Sequence, residues 1–196
     1  MPITWMALNL KPLSTSNFTN VFDSYVYNEG YNVTLGYKLL SSATIELTTY
    51  DCCFSPESKV LMADGQLKSI IEIKIGDMVM TYNEITGQQE ANVVKGLGNV
   101  KLQDFTVIDL ANGDQIQMNK YHPLYTQDGW KSLTQHKGLP RLSKSDKLLT
   151  IDQDYIAIND IKEVKELDIK TYYTLKIEGN NNFYVNGILA QGKDKD

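Results

Sequence analysis

Two side chains in this sequence are able to act together on a peptide bond. Cys53 opens the run Cys53-Phe54-Ser55-Pro56-Glu57-Ser58-Lys59-Val60, and His122 lies in Asn119-Lys120-Tyr121-His122-Pro123-Leu124. A thiol at the first position of a domain can attack the carbonyl of the peptide bond before it. The product is a thioester, reached through a five-membered ring. Because an amide is more stable than a thioester, the shift needs a distorted scissile bond, a donor to the developing oxyanion and an acid for the leaving nitrogen. Histidine suits the acid role, since its ordinary pKa lies close to neutral pH. By spacing alone, however, a single cysteine is more often an inert small hydrophobe and a single histidine a hydrogen-bonded structural residue. The pair acquires meaning only from the pattern around it.

Composition narrows the alternatives. The chain has 196 residues, 42% hydrophobic and 22% charged, the profile of a soluble globular protein with a core of its own. Nineteen basic residues against 24 acidic ones give a net charge of −5, which argues against nucleic acid as a partner. The only cysteines, Cys52 and Cys53, are neighbours and cannot staple a fold. With two histidines besides, a zinc site of nitrogen and sulfur ligands is not expected, and neither a metal nor a cofactor is called for. The start Met1-Pro2-Ile3-Thr4-Trp5-Met6 has no signal-peptide character, and no stretch has the length of a membrane span, so a soluble protein of undetermined compartment is expected.

The elements that must hold Cys53 and His122 read as strands. Met78 to Tyr82, Phe105 to Leu110 and Tyr172 to Ile177 are β-branched and aromatic runs bounded by Gly, Asn or Asp. Only Lys68 to Ile73, ahead of Gly76, suggests a short helical turn. A weak internal repeat organises the strands. Asp64-Gly65-Gln66-Leu67-Lys68-Ser69 followed by Gly76-Asp77-Met78-Val79 is echoed by Asp128-Gly129-Trp130-Lys131-Ser132 followed by Ser145-Asp146-Lys147-Leu148. Each unit runs into a matching tail, Asp104 to Leu124 in the first and Thr171 to Leu189 in the second. Two such units imply a duplicated all-β domain with a pseudo-two-fold axis. Residues 1–52 lie outside the repeat, are rich in Ser, Thr, Asn and Tyr, and suggest a hairpin from Phe22 to Tyr27 and Tyr31 to Leu35. Such a β-rich arm docks on the following domain, on a partner or on its own copies.

The sequence resembles a Hint domain, the self-processing fold shared by inteins, bacterial intein-like domains and hedgehog C-terminal domains. The resemblance covers residues 53–192. Its first block is Cys53-Phe54 with Ser58-Lys59-Val60-Leu61, Asp64-Gly65 and Gly76-Asp77-Met78-Val79. The block usually written T-x-x-H-P reads Asn119-Lys120-Tyr121-His122-Pro123. The closing block, similar to EGNHNFFVNGILVHN, reads from Glu178 to Gly192 as EGNNNFYVNGILAQG. The resemblance implies a horseshoe-shaped β-fold of mini-intein size without an endonuclease insert. It implies three parts: an extein-like segment 1–52, the domain 53–192 and a charged, solvated tail 193–196. The Gly76-Asp77 and Ser145-Asp146 pairs become turn residues.

The departures from the family bear directly on function. Full splicing ends with cyclisation of a terminal Asn assisted by a penultimate His, and that pair is here Gln191-Gly192. Glycine has no side chain to cyclise, and Lys193 follows where splicing needs Cys, Ser or Thr. The family's Thr is replaced by Asn119, the late His by Asn181 and a frequent late Asp by Thr174. What the resemblance still implies is the first half-reaction at the Cys52–Cys53 bond. Cys53 is the nucleophile, His122 the acid and Asn119 the group polarising the Cys52 carbonyl, with Thr174, Asn181 and Gln191 as late-block contributors. Cys52 is a bystander, an acyl acceptor, or a vicinal disulfide partner that silences Cys53; the first is preferred, because a neighbouring thiol has no evident geometry for attack on its own carbonyl.

Two functions are therefore expected in competition. One is a single-turnover autoprocessing domain acting on its own N-terminal segment. The other is a catalytically degenerate Hint fold retained as a structural or assembly module with protein partners, for example in a phage or viral particle. A conventional hydrolase is disfavoured, since no third group orienting His122 is evident and nearby Asp51 is as readily solvated.

Overall fold

Each half of the chain is built by an aspartate that ties down a turn. A computed structural model describes residues 53–134 and 138–193. The expected N-terminal arm with its hairpin, together with Asp51 and Cys52, lies outside the described residues. The first half comprises β1 (Lys59–Leu61), β2 (Leu67–Ser69), a 3-10 turn (Ile70–Glu72), β3 (Met78–Asn83), β4 (Gln88–Leu110) and β5 (Gln115–Met118). The second comprises β6 (Leu124–Thr126), β7 (Gly129–Lys131), β8 (Lys147–Leu149), β9 (Tyr155–Ile177), β10 (Asn182–Val185) and β11 (Ile188–Gln191). In the first half Asp77 accepts from Lys68 Nζ at 2.6 Å and from the Lys74 amide at 2.9 Å. In the second, Asp146 accepts from Lys131 Nζ at 2.6 Å and from the Ser143 amide at 2.8 Å. In both, a lysine from the preceding short hairpin and the amide three residues upstream meet one carboxylate. The matched hydrogen bonds give the duplication seen in the sequence its physical content.

The strands form one sheet in the order β2-β1-β10-β11-β6-β8-β9-β4-β3, with β5 added to β4 and β7 to β6. Every strand pair is antiparallel, so the all-β, pseudo-two-fold expectation holds for the described residues. The halves are interlocked. β1, near the start of the domain, pairs with β10 near its end, Val60 opposite Val185. β6, which opens the second half, pairs with β11, Leu124 opposite Ala190.

The sequence suggested short strands, and two of them are instead 23 residues long. β4 and β9 run side by side as a ribbon whose register shifts at Val94/Gly96, Leu102/Asp104 and Asp109/Leu110. The middle of the ribbon is largely solvent-facing while its Phe105–Ile108 stretch is buried throughout, and the bulges join these parts without ending the pairing. Gly96, Gly98 and the lysines of the middle stretch mask this continuity in the sequence, because they read as punctuation and as solvent-facing residues. The expected helical turn is present, shortened to the 3-10 turn at Ile70–Glu72.

The main core is built from Phe54, Ile108, Met118, Leu148, Phe183 and Val185, all essentially removed from solvent, with residues of both halves packed around them. Among the described residues no helix is long and apolar enough to cross a membrane.

Candidate active site

Cys53 enters the fold as a residue of an unnamed central strand segment. Phe54 exchanges both main-chain hydrogen bonds with Tyr173 of β9, at 2.8 Å each. On its other side Ser55 donates to the Gln117 carbonyl and Asn119 donates to the Cys53 carbonyl, both at 3.0 Å. Phe54 therefore faces Met118 and Tyr173 across the two neighbours. Antiparallel register then sets Cys53 opposite Asn119 on one side and Thr174 on the other. By the two-residue alternation of a strand, these three side chains share one face and Phe54, Met118 and Tyr173 the other. Cys53 is fully buried and packs with Phe105, Val107 and Tyr172.

His122 reaches the segment from the Phe54 side. Its ring stacks on the Phe54 ring at 4.0 Å between centroids, and both are fully buried. Its amide donates to the Asn119 carbonyl at 3.2 Å, closing a turn that the Asn119 side chain also supports, with Oδ1 accepting from the Tyr121 amide at 3.1 Å. That use of Oδ1 makes Nδ2 the donor end of the Asn119 amide. His122 Nε2 lies 2.9 Å from the Gln191 carbonyl oxygen. A carbonyl only accepts, so Nε2 carries the hydrogen and the neutral ring keeps its basic lone pair on Nδ1. This main-chain oxygen is the orienting group that the sequence did not reveal. It is unreadable in a sequence because every residue has one.

The end of the domain closes over the same place. Gly192 donates to the Asn181 carbonyl and Lys193 to the Leu175 carbonyl, both at 2.7 Å. Asn181 adopts a left-handed backbone, φ 49°, and its Oδ1 accepts from the Ile177 amide at 3.3 Å. Asn181, standing for the family's histidine, thus builds the turn that receives Gly192. A Cβ at Gly192 would lie 2.7 Å from Asn181 Oδ1, 2.9 Å from the Leu175 carbonyl and 3.0 Å from the Asn181 carbonyl. Glycine here is a packing requirement as well as a loss of the cyclising side chain. Lys193, expected in a solvated tail, is instead half-buried and bonded to β9. The strand edge has an unfilled bonding position at Leu175, and Lys193 fills it.

Thr174 is 1% exposed, and its Oγ1 has no hydrogen-bond partner among the described residues. Opposite it on β4 stands Gly98, where a Cβ would come within 2.8 Å of Thr174 Cγ2. Cys53, Asn119, His122, Thr174, Asn181 and Gln191 are thus all assembled around one stretch of β9 and the β5–β6 turn, while Cys52 lies outside the described residues. Among the described residues no group of three or more His, Cys, Asp or Glu could hold a metal ion.

Comparison with known proteins agrees with this fold. The fold is similar to a DnaB intein from Synechocystis sp. PCC 6803, at TM-score 0.63 and 21% identity, covering 74% of this chain and all of that one (100%). It is similar to a bacterial intein-like domain from Clostridium thermocellum, at TM-score 0.63 and 23% identity over 71% of this chain and 98% of that one. A gp41-1 intein gives TM-score 0.59 and 23% identity over 72% and 99% of the two chains. No curated protein sequence matches the chain. The family model of the pretoxin Hint domain matches residues 59–193, from the first strand to the lysine bonded at Leu175. The chain belongs to the pretoxin Hint domain family.

Proposed function

We propose that the chain is a single-turnover self-processing domain that converts its Cys52–Cys53 peptide bond into a thioester, from which an acceptor such as an added thiol can take residues 1–52. The observation that carries this reading is the seating of the Cys53–Phe54 backbone between Asn119 and β9, with the His122 ring stacked on Phe54 and held in one tautomer. Cys53 Sγ attacks the Cys52 carbonyl carbon. The C–N bond breaks, a C–S bond forms, and one proton passes in net from the thiol to the departing nitrogen of Cys53. His122 delivers that proton from Nδ1, the nitrogen that the Gln191 bond leaves basic. Asn119 Nδ2 is the donor for the developing oxyanion. No cyclisation follows at the other end of the domain, because Gly192 has no side-chain amide. The pretoxin of the family's name fits a domain whose one cut divides a precursor.

The alternative, a Hint fold kept as an assembly module, draws support from Thr174, a poorer hydrogen-bonding group than the carboxylate it replaces. Intact-mass spectrometry of purified chain, incubated with and without dithiothreitol at neutral pH, separates the two. Self-processing gives a fragment beginning at Cys53, faster with thiol and absent from Cys53→Ala. An unchanged mass over days with thiol present, together with no new α-amine at Cys53 on digestion and sequencing, sinks the proposal in favour of the assembly module.

A further inference from the structure

Where the acyl group goes is suggested by Lys193. Resting on the self-processing reading above, we propose that Lys193 Nζ is the acyl acceptor. Residues 1–52 would then be transferred from Cys53 Sγ to the lysine amine, leaving a branched chain joined by an isopeptide bond.

Both ends of the domain lie along the same edge of β9. Phe54 is bonded to Tyr173 and Lys193 to Leu175, two residues further along that edge. The separation is about 7 Å at the rise of a strand. Cys53 lies between them, opposite Thr174. The Lys193 side chain does not turn out to solvent. It crosses Thr174 toward Gly98, where a Cβ would meet its Cδ at 3.3 Å and its Nζ at 3.7 Å. Gly98, Thr174 and Cys53 share a face, so the amine is laid on the side of the sheet where the Cys53 thiol sits. The acyl shift moves the Cys52 carbonyl off the main chain and onto that same face. Thr174 Oγ1, buried and without a partner among the described residues, is a polar atom on this face able to accept a hydrogen bond from the amine. Cys53 is fully buried, which shields its thioester from bulk water and favours a protein amine over hydrolysis.

The step balances without a co-reactant. The unprotonated Nζ attacks the thioester carbonyl, a C–N bond forms, the C–S bond breaks, and the amine's proton goes to the departing sulfur. The Cys53 α-amine is left as a new N-terminus. An amide is more stable than a thioester, so the transfer runs downhill. The product is an isomer of the starting chain, and its intact mass is unchanged.

The test uses full-length chain incubated without added thiol at about pH 8.5, since alkaline solution favours attack by amines in general. It is then digested and sequenced by tandem mass spectrometry. The expected result is unchanged intact mass, a new α-amine at Cys53 and a branched peptide joining the carbonyl of Cys52 to Lys193 Nζ. Lys193→Arg should lose the branched peptide yet still release residues 1–52 when dithiothreitol is added. Release by thiol in the wild-type chain without any branched peptide overturns the lysine acceptor and leaves the self-processing reading standing. A branched peptide that persists in Lys193→Arg also overturns it. Absence of both thiol-triggered release and branching removes both proposals together.

Discussion

Putting back the family's terminal asparagine should damage this domain without restoring splicing chemistry. In Gly192→Asn the new Cβ must displace Asn181 Oδ1, at 2.7 Å, and two main-chain oxygens, at 2.9 and 3.0 Å. A side chain end can swing away, but the Leu175 and Asn181 carbonyls belong to β9 and to the turn before β10. Overpacking of this kind costs about 1–3 kcal/mol. If the chain end lifts instead, it loses the hydrogen bonds of Gly192 and Lys193, each worth about 0.5–1.5 kcal/mol net. Either route destabilises by about 1–3 kcal/mol, a fall of roughly 2–12 °C in melting temperature for a chain of this size. Gly192→Ala should show most of the loss, since the Cβ alone makes the clash. Because Gln191 also holds His122, cleavage at Cys53 should slow in both variants. Thermal unfolding followed by circular dichroism reads the stability, and intact mass reads any cut after residue 192. A Gly192→Asn chain that melts with the wild type, or that cleaves after residue 192, would refute the steric reasoning.

His122→Ala should slow thiol-dependent release of residues 1–52 by about 100- to 10,000-fold, as loss of a general acid does, and a change of less than threefold in a timed mass assay would remove His122 from the chemistry. Thr174→Val replaces a buried hydroxyl that has no partner among the described residues by a group of the same shape, so urea unfolding should find the variant as stable or up to about 1 kcal/mol more stable. Asp146→Asn should cost about 2–4 kcal/mol in the same assay, at the lower end because Asp128 still sits 2.9 Å from Lys131 Nζ. The Lys68 hydrogen bond holds Asp77 below the usual carboxylate value; burial would raise Asp146, but the Lys131 and Ser143 bonds outweigh it and lower that group too. Their contribution is therefore full above an unfolded pKa near about 3.9 and drains away as pH falls through the lower folded values. Unfolding titrations from pH 6 down to about pH 2 should show this loss, and Asp77→Asn with Asp146→Asn should flatten it.

Much of the fold was legible because its duplication is written in short, chemically specific signals. The Asp-Gly turns and the aspartates at 77 and 146 mark the same positions in each half, and the ion pairs found there explain why. Cys53 and His122 stood out for a related reason, since the proposed reaction needs a nucleophile and an acid of particular residue types. The positions of Asn119, Thr174 and Asn181 followed from the motif, although the turn-building role of Asn181 did not, because a left-handed backbone is set by the chain returning to Gly192. Two features were not readable. The full length of β4 and β9 was hidden by bulges and by polar residues facing solvent. The seating of Lys193 depends on a main-chain oxygen at Leu175, and main-chain atoms leave no mark in a one-letter sequence.

The interlocking of the two halves also sets a clock. A chain is made from its N-terminus, so residue 53 leaves the ribosome long before its partners on β9 exist. The imidazole of His122 gains its fixed tautomer only when Gln191, almost the last residue of the domain, has been added. At about 5–20 residues per second that interval lasts roughly 7–30 s. Throughout it, the segment ahead of Cys53 stays attached to the growing chain and is free to find its own fold. On the proposed self-processing reading, completion of the final strand would be the signal that arms the junction, and a truncated or prematurely terminated chain would never receive it.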